Sequence, residues 1–154
     1  MTLIAQPFII RVYGIAIHDG NLLVCDENWF DTLMTKLPGG GMEYGEGSID
    51  CLKRECMEEL GQPVDVLSHF YTTDYFQPAR FVKDRQLISI YYRIKLSDPE
   101  RLEVSSRKFD FDREREGAMS LRWINTVNLT TDMFTFPVDR KVAGMLITEI
   151  NGQL

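Results

Sequence analysis

Glu55, Glu58 and Glu59 stand at positions i, i+3 and i+4 of this 154-residue chain, directly after Arg54. On a helix of about 3.6 residues per turn, side chains at that spacing crowd one side. Unpaired like charges there repel and cost helix stability, so the arrangement calls for a cation. Crowded carboxylates are what a hard divalent cation takes, because Mg²⁺ prefers oxygen ligands and keeps waters for substrate phosphates. The chemistry is therefore metal-assisted work on phosphates. A glycine-rich tract, Pro38 to Gly41, precedes the three acids and lets backbone approach a phosphate or metal closely.

The alternative for the same residues is a solvated acidic helix face with Lys53 and Arg54 as counter-charges. That reading suits an isolated Glu-Glu pair, but here the wider spacing must be explained together. Gly40 is followed after five residues by Glu46, after seven more by Arg54-Glu55, then by Glu58, Glu59 and Gly61. At average residue usage, a chance match of seven fixed positions in one frame is on the order of 10⁻⁸ to 10⁻⁹. The segment from Gly40 to Gln62 resembles the Nudix box, G-x5-E-x7-R-E-U-x-E-E-x-G-U, with U a bulky aliphatic residue. Two U positions depart: Cys56 is a mild change, since a buried free thiol behaves as a small hydrophobe, and Gln62 replaces an apolar residue after the helix.

The resemblance implies an α/β fold, an α/β/α sandwich with a mixed sheet between helices. It also implies a pyrophosphohydrolase using Mg²⁺ or Mn²⁺. Glu55, Glu58 and Glu59 would hold the metal, with the Gly39 carbonyl as a further ligand. Arg54 would orient a box glutamate, and Glu46 would support the cluster from the helix entrance. In families sharing this box the general base is a box glutamate, Glu58 or Glu59, or one from a downstream loop, here Glu114 or Glu116.

Substrate recognition lies outside the box. Tyr71, Tyr75, Phe76 and Trp29 are candidates to stack a base, and Arg80, Lys83 and Arg85 to meet phosphate. Pro78, sixteen residues past the box, lies where ADP-ribose pyrophosphatases of this family resemble one another. The favoured substrate is a nucleoside diphosphate linked to another moiety, ADP-ribose or a sugar nucleotide. A modified nucleoside triphosphate is the alternative, and a non-catalytic nucleotide sensor is the reading from a different class. The intact box charges argue against the sensor.

Composition supports a small-molecule enzyme. The net charge is −6 and the pI about 4.9, so no basic track for nucleic acid is expected. Cys25, Cys51 and Cys56 form no paired motif and suit a reducing compartment. No apolar run reaches membrane-spanning length, and the N-terminal MTLIAQPFIIR lacks the basic start of a signal peptide. A single domain over 1–154, cytoplasmic and acting on a small nucleotide without nucleic-acid or membrane partners, is the expectation. Homodimers are frequent in the resembling family.

The positioning elements follow from pattern. Arg11 to His18 and Asn21 to Cys25 read as strands joined by an Asp19-Gly20 hairpin turn. Glu27 to Asp31 reads as a loop and Thr32 to Leu37 as a short strand delivering a glycine turn. Ser48 is the expected N-cap of a helix ending at Leu60-Gly61, its buried stripe Ile49, Leu52, Cys56 and Leu60. Val64 to Thr73, Leu87 to Leu96 and Leu121 to Ile124 read as strands. Gln77 to Arg85 and the charged stretch Ser97 to Gly117 read as loops. A final amphipathic helix begins at Pro137, with Val138, Val142, Met145 and Ile150 on its apolar side.

Overall fold

Two hairpins built on the same central strand organise the sheet in the computed structural model, which describes residues 7–153. The reading of the first six residues as lacking a signal peptide lies outside the described residues. Strand β1 (Phe8–His18) turns through Asp19 and Gly20, both at positive φ, into β2 (Asn21–Trp29). Positive φ at both turn positions gives the primed turn that matches the twist of flanking strands.

β2 does not stop at Cys25, and the loop expected over Glu27–Asp31 shrinks to its last two residues. Phe30 and Asp31, at φ 52° and 53°, form a second two-residue turn into β3 (Thr32–Lys36). Pairing on both sides keeps β2 extended. It meets β3 from Cys25↔Lys36 to Trp29↔Thr32, and β7 (Ala118–Asn125) from Asn21↔Asn125 to Asn28↔Ala118.

The glycine tract is a short strand rather than a free turn: β4 (Gly39–Gly41) pairs with Arg11–Tyr13 of β1. Gly39 has φ 143°, and a Cβ there would lie 2.0 Å from the Val12 carbonyl oxygen, so only glycine fits. Strands β5 (Val64–Thr72) and β6 (Gln86–Leu96) complete the sheet, β6 running parallel to β1. The order is β3-β2-β1-β6-β5, with β4 on β1 and β7 on β2. It is the expected mixed sheet.

Helices α1 (Ser48–Leu60) and α2 (Pro137–Gly152) cover its two faces. The strand period of two sorts the core. Tyr13, Ile15, Leu22 and Val24 pack with Val138, Val142, Ala143 and Leu146 of α2. Val12, Ala16, Leu23 and Cys25 pack with Cys51, Leu52, Cys56 and Leu60 of α1.

Local details of α1 differ from the sequence reading. Gly47 is the N-cap and the Asp50 carboxylate accepts its amide at 3.0 Å, while Ser48 lies inside the helix, its hydroxyl 2.6 Å from that of Tyr92. Ile49 is exposed and Cys51 takes its place in the buried stripe, because the helix turns its Cys51–Leu52 edge toward the sheet. On α2, Ala143 and Leu146 are buried where Met145 and Ile150 are only partly so. Gly61 ends α1 at φ 69°, donating its amide to the Met57 carbonyl.

Gln62, the polar departure in the box, is buried and satisfied. Its side chain donates to the Asp98 carbonyl at 2.8 Å and accepts the Asp98 amide at 2.7 Å, pinning the segment after β6. All three cysteines are buried free thiols. Among the described residues no helix is long and apolar enough to cross a membrane.

Candidate active site

β1 and β2 share only two paired positions, Ile17↔Leu22 and His18↔Asn21. Beyond them β1 takes β4 and β6 as neighbours while β2 takes β3 and β7, and the sheet splays. A cavity of about 800 Å³ opens there, within the size range of small-molecule sites. One wall carries Gly39–Gly41, Glu55, Glu59, Lys36 and Glu27; the other carries Trp29, Phe30, Phe81, Phe136, Arg80 and Asp139.

Arg54 ties the box together. Its guanidinium forks onto both Glu46 oxygens, donates to Glu55 at 3.0 Å and Glu58 at 3.3 Å, and reaches the Gly41 carbonyl at 3.0 Å. One planar cation thus fixes three carboxylates relative to the glycine strand, a geometry a lysine does not reproduce. Its hydrogen bonds pull the Glu46 carboxyl down to about 2.

Gly40 explains its own place in the motif. A Cβ there would sit 2.4 Å from Glu55 Cδ, so the carboxylate rests against bare backbone. Glu59 is nearly buried and receives the Cys25 thiol and the Gly39 amide, each at 3.4 Å. Lys36 reaches Glu27 at 3.1 Å, the Gly39 carbonyl at 3.1 Å and Glu59 at 3.5 Å. Burial pulls its ammonium down, but Glu59 and Glu27 more than offset this and hold it charged. Burial drives the Cys51 and Cys56 thiols up to about 11 and about 12, which leaves them unreactive at neutral pH.

The opposite wall is a chain of rings. Trp29 meets Phe30 at 6.4 Å, Phe30 stacks on Phe81 at 4.8 Å, and Phe81 meets Phe136 edge-on at 6.3 Å. The Arg80 guanidinium lies over Phe81 and Phe136, 5.5 and 5.7 Å from their centres. Asp139 lies at the base of this wall, accepting the Tyr91 hydroxyl at 2.6 Å, and burial pushes its carboxyl up to about 6.

Glu55, Glu59, Gly39 and Arg80 therefore come together on one cavity as the sequence suggested, and Trp29 joins them. Glu58 does not line it; its side chain is 59% exposed beside Arg54. Glu116 is not at the box either. Both its oxygens accept the Phe30 amide at 3.1 Å, so it secures the β2–β3 turn. Tyr75 and Phe76 also fall outside the cavity lining, Tyr75 lying under the Lys141 ammonium and Phe76 in solvent. Lys83 and Arg85 are outside it too, and Tyr71 is core.

Glu27, Lys36, Phe81, Phe136 and Asp139 had gone unrecognised. The sequence signal for them is a lysine two residues before the glycine-rich tract, and a proline-started helix preceded by phenylalanine. Among the described residues, the His/Asp/Glu trio with ligand atoms within 4.8 Å of one another is His18, Asp19 and Glu100. It is an ion-pair group at the far end of β1, not the box.

The donors on the glutamate wall are carboxylate and carbonyl oxygens on a backbone that only glycine permits. That set fits a hard divalent cation.

A model of the NUDIX domain family matches residues 8–136, and the chain belongs to that family. It is a hydrolase of phosphoanhydride bonds. No curated protein is significantly similar to it in sequence. Among solved structures it is similar to the ORF135 protein of E. coli, with 19% identity, TM-score 0.64, and coverage of 90% of this chain and 88% of that one. A NUDIX hydrolase from Nitrosomonas europaea gives 16% identity and TM-score 0.66 over 96% and 90% of the two chains. A UDP-X diphosphatase gives 15% identity and TM-score 0.58 over 96% and 66%. These likenesses show the fold.

Proposed function

We propose that the protein is a Mg²⁺- or Mn²⁺-dependent pyrophosphohydrolase cleaving a nucleoside diphosphate linked to a second moiety, ADP-ribose or a sugar nucleotide. One observation carries the reading: a single cavity joins the box carboxylates on one wall to four aromatic rings and Arg80 on the other. The rings suit a base and the bare glycine backbone suits a pyrophosphate.

Glu55, Glu59 and the Gly39 carbonyl would hold the cation, with Glu58 beside them. When bound, such an ion neutralises phosphoryl oxygen and lowers the pKa of its water. Arg54 keeps Glu55 and Glu58 aimed while remaining bonded to Glu46 and Gly41. Glu58, held by one 3.3 Å bond and open to solvent, is the box carboxylate free to accept the water's proton. Glu116 takes no part in proton transfer; its contribution is to hold Phe30 against Phe81. The rings exclude water and stack the base, and Arg80 and Arg11 face the cavity as phosphate partners.

Monophosphate release is measured from ADP-ribose, sugar nucleotides, dinucleoside polyphosphates, NADH, CoA and nucleoside triphosphates, in Mg²⁺ and in Mn²⁺. The diphosphate-linked class turns over fastest, and Glu55→Gln lowers kcat roughly 10²–10³-fold with an unchanged melting temperature. Excess chelator abolishes turnover without unfolding the chain. Preferential turnover of triphosphates overturns the substrate class, and activity surviving chelation overturns the metal.

A further inference from the structure

We propose that Arg11 is a catalytic residue whose guanidinium meets the phosphate on the ring side of the scissile bond, and that Tyr13 is the residue that positions it. The inference deepens the pyrophosphohydrolase reading of this site and rests on it.

Strand β1 carries Arg11 between the two walls of the cavity. Arg11 pairs with Gly41 of β4 on one side and with Ser89 of β6 on the other, and all three line the cavity. The nearest atom to a Cβ built on Gly41 is Arg11 Nη1 at 3.9 Å, so the guanidinium lies beside bare glycine backbone. Arg54 and Lys36 each hold carboxylates, but among the described residues Arg11 forms no ion pair. Its side-chain hydrogen bond there runs from Nε to the Tyr13 hydroxyl at 2.5 Å, and its two Nη groups have no partner. A half-buried cation without a counter-charge is costly to desolvate. A planar fork of free N–H donors is the match for a phosphate.

Tyr13 can fix the guanidinium because it is fixed itself. It is buried, its ring stacks on that of Tyr91 at 5.3 Å, and the Tyr91 hydroxyl is bonded to Asp139 at 2.6 Å. The Nε bond sets the plane of the guanidinium and leaves its Nη edge for an oxyanion. In the hydrolysis the water oxygen bonds to one phosphorus and the water's proton passes to the base. The bridging P–O bond breaks with its electron pair on the bridging oxygen, so negative charge grows on the departing phosphate. Fixed donors aimed at charge that develops in the transition state raise kcat rather than tighten the ground state.

The test measures kcat and KM for ADP-ribose in Mg²⁺. Arg11→Ala lowers kcat about 10²-fold and changes KM less than about threefold. Arg11→Lys falls nearly as far, because an ammonium lacks the fork. Guanidinium ion, kept below concentrations that lower the melting temperature, restores part of the lost rate to Arg11→Ala and does not accelerate the native protein. Tyr13→Phe keeps the stacked ring and lowers kcat about tenfold, but less than about twofold once Arg11 is alanine. A rise in KM with kcat unchanged, or no rescue by guanidinium, overturns the catalytic role of Arg11. Additive losses from the two variants overturn the positioning role of Tyr13. Should Arg11→Ala fail to fold, Arg11→Lys takes its place in the same cycle. Turnover that Glu55→Gln abolishes and Arg11→Ala leaves intact overturns this inference alone. A native protein that turns over neither ADP-ribose nor sugar nucleotides overturns the reading it rests on, and this inference with it.

Discussion

The two walls of the cavity are built by opposite means. On the glutamate wall charge is answered by charge: Arg54 serves Glu46, Glu55 and Glu58, and Lys36 serves Glu27 and Glu59. Most of that wall comes from two short stretches, Gly39–Gly41 and the six residues 54–59. The aromatic wall has one guanidinium over its rings and draws Trp29 and Phe30, Phe81, and Phe136 from three distant parts of the chain. Bond-breaking chemistry needs several polar groups held to within about half an ångström, and one helix turn against one strand supplies that. Holding a flat base needs area more than exact placement, so loops from separate segments suffice.

The contrast is sharpest at the glycines. Gly40→Ala places a methyl group 2.4 Å from Glu55 Cδ and must displace the carboxylate. A misplacement of about 1 Å at a catalytic group costs roughly 10²-fold, and kcat/KM of Gly40→Ala falls by that order. At Gly41 the nearest atom to an added Cβ is Arg11 Nη1 at 3.9 Å. Gly41→Ala meets only an ordinary contact and spares Glu55, so its kcat/KM falls less than that of Gly40→Ala. Equal losses in the two variants would show that the tract, not the Glu55 contact, sets the requirement for glycine.

The same contrast explains what was legible in the sequence. The box is a local pattern, and a helix converts its spacing directly into geometry. Strand alternation and the Asp19-Gly20 turn likewise place the sheet. Rotation of α1 is fixed instead by the sheet it lies on, so Cys51 rather than Ile49 is buried. The β2–β3 turn escaped because Phe30 and Asp31 carry positive φ without a glycine, supported from 86 residues away by Glu116. Tyr75 and Phe76 had the right chemistry, but the chain leaves β5 beside Lys141 and returns to the cavity only at Gln77–Val82. Lys36 gains a role only once Glu27 and Glu59 are placed around it.

If the aromatic wall contributes binding rather than chemistry, Phe81→Ala separates the kinetic constants. Phe81 touches both Phe30 and Phe136, so its loss breaks the chain of rings. Aromatic stacking and area of this kind are worth about 1–2 kcal/mol, which raises KM roughly tenfold and leaves kcat within about threefold. Initial rates over a substrate series measure the split. A fall in kcat with KM unchanged would give the rings a role in the reacting geometry and erase the distinction between the walls.

The one carboxylate on the opposite wall touches stability and pH dependence instead of turnover. Asp139 has the Tyr91 hydroxyl as its hydrogen-bond donor, and Lys36 and Arg11 only partly offset its burial, so its carboxyl titrates near 6 instead of 3.8. The folded chain therefore holds a proton that the unfolded chain releases near pH 4. Between those values the native state binds more protons, and stability falls as pH rises through about 4 to 6. The gap corresponds to about 3 kcal/mol lost at neutral pH relative to pH below 4. Asp139→Asn keeps an acceptor for Tyr91 and has no proton to lose. Urea unfolding at intervals from pH 4 to 7 should show the native protein losing about 3 kcal/mol against this variant. Parallel curves would mean that Asp139 finds a counter-charge, making its wall as fully paired as the other.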